Sequence, residues 1–224
     1  MANLISWRRG IDDISDSAPH EKKPLFLHFF NLGCFLSQKM DTVSYSRSDV
    51  IQLLNQHFIP CRITPETPNL FRAHAVHATP VQITLCNEGF ERQRSTGFLN
   101  GPELMAFLLL ALGKHYFDNG RLDEALEMVG RLVSHYGESR LLPEAIFHQG
   151  FFLFKKTGER RYLREAHAML QHRCPDSSWT QSAKMVSMHY YAPALWEWSQ
   201  KKSNIINCRF WVHTIPPGKG IEQK

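Results

Sequence analysis

Cys34 and Ser37 stand three residues apart in Asn31-Leu32-Gly33-Cys34-Phe35-Leu36-Ser37-Gln38-Lys39-Met40, directly after an apolar stretch. The order reads as a strand, a short loop and the start of a helix. A thiol at such a junction sits at the positive end of the helix dipole, which favours the thiolate and lowers its pKa. Two cysteines at this spacing would form a dithiol redox centre. With serine in the second place, one thiol remains. A thiolate that attacks a disulfide yields a mixed disulfide, which a neighbouring thiol normally resolves. Ser37 cannot resolve it, although its hydroxyl can donate a hydrogen bond to the Cys34 sulfur. The chemistry open to the pair is therefore monothiol, with Cys34 as nucleophile and an external thiol releasing what it captures. The competing reading is a cysteine that does not react, in a scaffold used only for binding.

The other cysteines offer little help. There are five in all, an odd number with irregular spacing, which suits a reducing, cytoplasmic compartment and argues against a disulfide framework. Cys61 falls in mid-strand. Cys86 ends a strand that begins at Pro80, and six extended residues span about 20 Å. Both read as small packed hydrophobes. Cys174 precedes Pro175 at a helix end, and Cys208, in the tail, leaves a resolving shuttle open. Among twelve histidines, His74 and His77 invite a metal reading, but zinc takes three or four protein ligands and no companion motif exists. No metal and no bound cofactor are expected, with glutathione as a co-substrate at most. His77, three residues before Pro80, is a candidate imidazolium partner for the Cys34 thiolate. His28 reads as a packed, hydrogen-bonded histidine on the strand beneath.

These residues need a frame. Residues 25–30 form a short apolar run suited to a buried parallel strand. Residues 48–55 open with capping residues and place Val50, Leu53 and Leu54 on one helical face. Residues 58–63 read as a second strand. Residues 81–85 and 90–97 flank Asn87-Glu88-Gly89, a hairpin turn. Strand, helix, strand and hairpin describe an α/β layer with a mixed sheet. After Asn100-Gly101-Pro102 the period becomes helical, over residues 103–116, 122–136, 143–156 and 162–172. Gly113, Tyr116, Gly120 and Ala125 recur loosely as Gly150, Phe154, Gly158 and Ala166, which resembles tetratricopeptide repeats. The expected division is 1–99 for the α/β domain, 100–187 for the helical domain and 188–224 for a tail of unassigned structure.

Taken in order, Trp7, Lys23-Pro24, Cys34-Phe35-Leu36-Ser37, Met40, Tyr45, Leu54-Asn55, Phe58-Ile59 and Thr79-Pro80 resemble the bacterial thioredoxin family, in members that carry a tetratricopeptide-like helical tail. The resemblance implies a thioredoxin-like domain followed by an all-α domain of helical hairpins. It also implies a cis peptide at Thr79-Pro80 whose backbone faces Cys34 and receives an extended client segment, a form of β-augmentation. Gly33, Phe35 and His77 would complete that substrate groove. The chain departs from the family at Ser37, at Gly33, where an aromatic is frequent, and at His28, where typical members carry a buried acid serving the second cysteine. Dithiol reduction is therefore not expected.

Hydrophobic residues make up 43% of the chain, enough for a packed core, and no apolar run approaches the ~18 residues needed to span a bilayer. The net charge is +5, with Lys155, Lys156, Arg160, Arg161, Arg164 and Arg173 close together. Without interleaved aromatics, this cluster reads as the solvated face of a helical hairpin. The expected partner is a protein client, bound through the Cys34/Pro80 groove and the helices; neither a nucleic acid nor a membrane is expected.

Overall fold

A computed structural model of the chain describes residues 4–9, 23–86 and 89–189. Five strands, β1 (Arg8–Arg9), β2 (Leu25–Phe29), β3 (Ile59–Ile63), β4 (Val81–Leu85) and β5 (Glu91–Thr96), form one sheet in the order β1-β3-β2-β4-β5. β2 runs parallel to β3 and antiparallel to β4, and β5 returns antiparallel to β4. Every residue of β2 and β4 is buried, as expected for strands covered on both faces. Parallel neighbours need a crossover. Here it consists of α1 (Phe35–Lys39), a π-helical turn over Met40–Ser44 and α2 (Ser48–His57). This is a thioredoxin-like mixed sheet flanked by helices. β1 and α3 (Pro68–Ala73) have too short a period to be seen in the sequence. The residue capping α2 is Arg47 rather than the serine expected there.

Register assigns the two faces. Leu25, Leu27, Phe29, Ile59, Cys61, Ile63, Val81, Ile83 and Leu85 make one apolar cluster, closed by Leu70 and Phe71 of α3. His28 lies opposite both Arg62 and Gln82, so these three side chains share the other face. That face is covered by α2 and by α4 (Gly101–Asp118), with Phe107 of α4 edge-on to Phe26 of β2. α4 starts where Asn100 accepts the Glu103 N–H at 2.9 Å, with Pro102 in the first turn.

α4 is buried nearly all round because it also packs on the helices that follow. These are α5 (Leu122–His135), α6 (Leu142–Thr157), α7 (Arg161–Arg173) and α8 (Ser178–His189), each packed against the next. One hydrophobic core runs from Phe26 through Phe107 to Leu170 and Ala183, so it continues across the expected boundary at residue 99. Two glycines set the helix crossings. A Cβ at Gly113 would lie 2.7 Å from Val129, and one at Gly150 would lie 2.8 Å from the Tyr162 carbonyl, against Ala166. Gly113 and Gly150 thus each mark a close approach of two helices. Among the basic cluster, Lys155, Lys156, Arg161, Arg164 and Arg173 are exposed, with Lys156 paired to Asp123 and Arg161 to Glu159. α8 extends beyond the expected helices. Asn87, Glu88 and the tail from residue 190, including Cys208, lie outside the described residues.

Candidate functional site

Cys34 occupies the N-cap of α1, with extended backbone (φ −97°, ψ 116°). The loop before it is organised by Asn31. The Asn31 carbonyl accepts the Cys34 N–H at 3.0 Å, and its side-chain oxygen accepts the Gly33 N–H at 2.9 Å. Its own N–H donates to Ser37 Oγ at 3.4 Å. An asparagine that holds a turn two residues on is a familiar device, and it was the overlooked signal in this loop. Gln38 adds a bond from Nε2 to the Leu32 carbonyl at 2.6 Å.

The groups around the sulfur all act in one direction. Ser37, fully buried beneath it, favours the thiolate first through its N–H and then through its hydroxyl; Thr79 and the Leu36 N–H add to this. Despite a small opposing contribution from burial, the Cys34 pKa falls below its ordinary value. No cap bond closes on the neutral thiol. The thiol donates to the Thr79 carbonyl, 3.1 Å away. The Thr79–Pro80 peptide bond is cis, with Thr79 half-buried and Pro80 buried.

The other site residues fall into two groups. Gly33 and Phe35 are exposed beside the thiol. Phe35 belongs to an apolar rim flanking Cys34 in the chain that the sequence alone did not single out: Leu32 is 74% exposed, Phe35 72% and Leu36 40%. His77, on the loop before Thr79, is also exposed. His74 packs its ring against Phe29, and no cluster of three metal-ligating side chains exists among the described residues. Cys86 is buried and Cys174 half-buried, both as free thiols, and Cys61 is fully buried.

His28 corrects an expectation. It is fully buried, but neither ring nitrogen has a hydrogen-bond partner among the described residues. Its contacts are aromatic, with Tyr45, Trp7 and Phe30 around the ring at 4.9, 5.8 and 5.9 Å. Burial first, and the Arg62 cation second, push its pKa down to about 3. Arg62 is itself held between the Trp7 and Phe30 rings, 4.7 Å from each, and forks onto the Asp41 carboxylate. The nearby carboxylate thus pairs with arginine, and the histidine beneath the site stays neutral.

No protein-family model and no curated protein matches the sequence. Solved structures do. A putative disulphide-isomerase from Bacteroides thetaiotaomicron is 25% identical over 50% of this chain and 95% of its own, with a TM-score of 0.45. A thioredoxin from Thermus thermophilus is 24% identical over 48% of this chain and 85% of its own, at 0.42. The oxidoreductase DsbH is 15% identical over 42% and 77%, at 0.38. Each covers at most half of this chain. The fold assignment rests on the strand order and register above.

Proposed function

We propose that the protein is a monothiol thioredoxin-like module that captures protein clients through Cys34. The observation that carries this is a single sulfur on which Ser37 converges from below while the Thr79 carbonyl meets it at 3.1 Å. The Cys34 thiolate attacks one sulfur of a client disulfide; a new S–S bond forms as the old one breaks, and the departing client thiolate takes a proton from solvent. An external thiolate, such as that of glutathione in a reducing cytoplasm, then attacks the mixed disulfide and frees Cys34. Ser37 lowers the energy of the thiolate as nucleophile and as leaving group. Thr79 and Pro80 offer backbone to an extended client segment, Gly33 leaves the approach open, and Leu32 and Phe35 supply apolar contact. The helical hairpins, which resemble tetratricopeptide repeats, recruit the client.

The test is the rate of Cys34 alkylation against pH, followed by mass spectrometry on the full chain. The expected midpoint lies below the free-cysteine value of about 8.5. An ordinary or raised midpoint would sink the chemical reading. The exposed apolar rim supports a second reading, a redox-inactive adaptor that uses the same groove and helices for binding alone. Client capture that survives Cys34→Ser undiminished would select it.

A further inference from the structure

A second site lies at the other end of β2. Cys34 follows the strand, whereas a cavity of about 280 Å³ opens beside Lys23 and Pro24, which precede it. The strand alone spans roughly 15 Å, so the two sites are separate. Gln56 and His57 from the end of α2 line the cavity, with His115 and Tyr116 from α4 and Arg121 from the turn into α5. The α/β layer and the helical array thus each contribute a wall.

The polar groups are fixed rather than loose. His57 Nδ1 and the Tyr116 hydroxyl share a 3.0 Å hydrogen bond, which sets the plane of the imidazole. The Arg121 guanidinium lies 4.4 Å over the Tyr116 ring, and its Nε and one Nη rest on Glu124 at 3.0 Å. That anchors a planar fork at the rim and leaves further N–H groups of its five. Burial first, and then the Lys23, Arg131 and Arg121 cations, lower the His57 pKa, with Glu127 opposing them. Among the described residues, the lining carries Lys23 and Arg121, with Glu124 held on the latter, and no carboxylate of its own.

We infer that this cavity binds a small phosphate-bearing molecule, with Arg121, His57, Gln56 and Lys23 as the donors. Guanidinium, imidazole, amide and ammonium approach from three elements. Such a set matches the several oxygens of a tetrahedral dianion better than the two coplanar oxygens of a carboxylate. The volume sits just below the roughly 300–1,000 Å³ of drug-sized pockets, which suits a phosphate monoester on a small carbon skeleton. The inference does not depend on the reactivity of Cys34.

Inorganic phosphate is the probe. It is titrated into the full chain at constant ionic strength, with sodium chloride as the control, while the imidazole proton resonances of His57 and His115 are followed by NMR. The expected result is a saturable shift with phosphate only. It should weaken about tenfold in Arg121→Gln and in His57→Gln, and remain intact in Cys34→Ser. Melting temperatures confirm that the variants are folded. A response no larger than that to chloride overturns the assignment, as does an affinity unchanged in both folded variants.

Discussion

Two histidines, one in each half of the molecule, the first fully buried and the second half-buried, face opposite circumstances. His28 lies under the thiol site among Tyr45, Trp7 and Phe30, with no hydrogen-bond partner among the described residues. His148, in α6, also packs among aromatics, with Phe152 and Trp179 at 5.3 and 5.7 Å. A carboxylate faces it, however: Glu144 Oε1 is 3.6 Å from His148 Nε2 and pairs with Lys114. Burial lowers both imidazoles. The difference is where the carboxylate goes. Beneath the thiol, Asp41 pairs with Arg62, which leaves His28 a neutral, apolar-like filler. In the helices, Glu144 joins histidine and lysine into one unit.

The largest effect should therefore come from Glu144. Burial raises its pKa, but His148 and Lys114 outweigh this and bring it down to about 2. Its folded-state value lies below the unfolded one, so it stabilises the protein above pH ~4.5 and that stability is lost as pH falls through about 2. Glu144→Gln strands the Lys114 charge in a largely buried position and should cost about 3 kcal/mol in urea unfolding at pH 7. A loss below ~1 kcal/mol would show that the pair behaves like a surface bridge.

His28 should behave differently. At pH 7.5, His28→Leu is expected to change stability by no more than about 1 kcal/mol, because no hydrogen bond is lost. The acid side separates the variants. The folded pKa of about 3 lies below the unfolded value of 6.5, so below pH 6.5 the unfolded chain binds the proton more readily. Wild-type stability should fall from pH 6.5 towards 3, and His28→Leu should flatten that slope. Equal slopes in the two proteins would mean that His28 is not insulated as described.

These contrasts mark what the sequence could show. The thiol, its serine and the Thr79–Pro80 step were legible because each depends on a local order of residue types. So were the buried strands and the glycine positions in the helices, which follow from periodicity. The fate of His28 was not legible, because it depends on register: only the pairing of β2 with β3 puts Arg62 beside it, and only the fold of the π-helical turn gives Asp41 to Arg62. The apolar rim was missed because Leu32 and Leu36 look like core residues in a string of letters.

A dithiol variant sharpens the comparison. Ser37→Cys restores two thiols, but His28, with a pKa of about 3, is too weak a base to take the second proton. Insulin reduction by this variant should remain slow. Adding His28→Asp gives the site a carboxylate, as Glu144 does for the helices, and should raise the rate roughly tenfold or more. A fast single variant would show that the proton leaves by another route.

The smallest effect concerns Ser37 itself. Its N–H is the leading group that lowers Cys34, and its hydroxyl comes second. Ser37→Ala keeps the N–H and removes the hydroxyl, so the alkylation midpoint should rise while staying below that of a free cysteine. The sign follows from which form is hydrogen-bonded: the hydroxyl donates to the thiolate, so its loss favours the thiol. In His28→Leu the same midpoint should not move, because a group that is neutral above about pH 3 carries no charge to the sulfur over the range in which Cys34 ionises. A midpoint that shifts in His28→Leu but not in Ser37→Ala would reverse the roles of the two residues and place control of the thiol on the sheet.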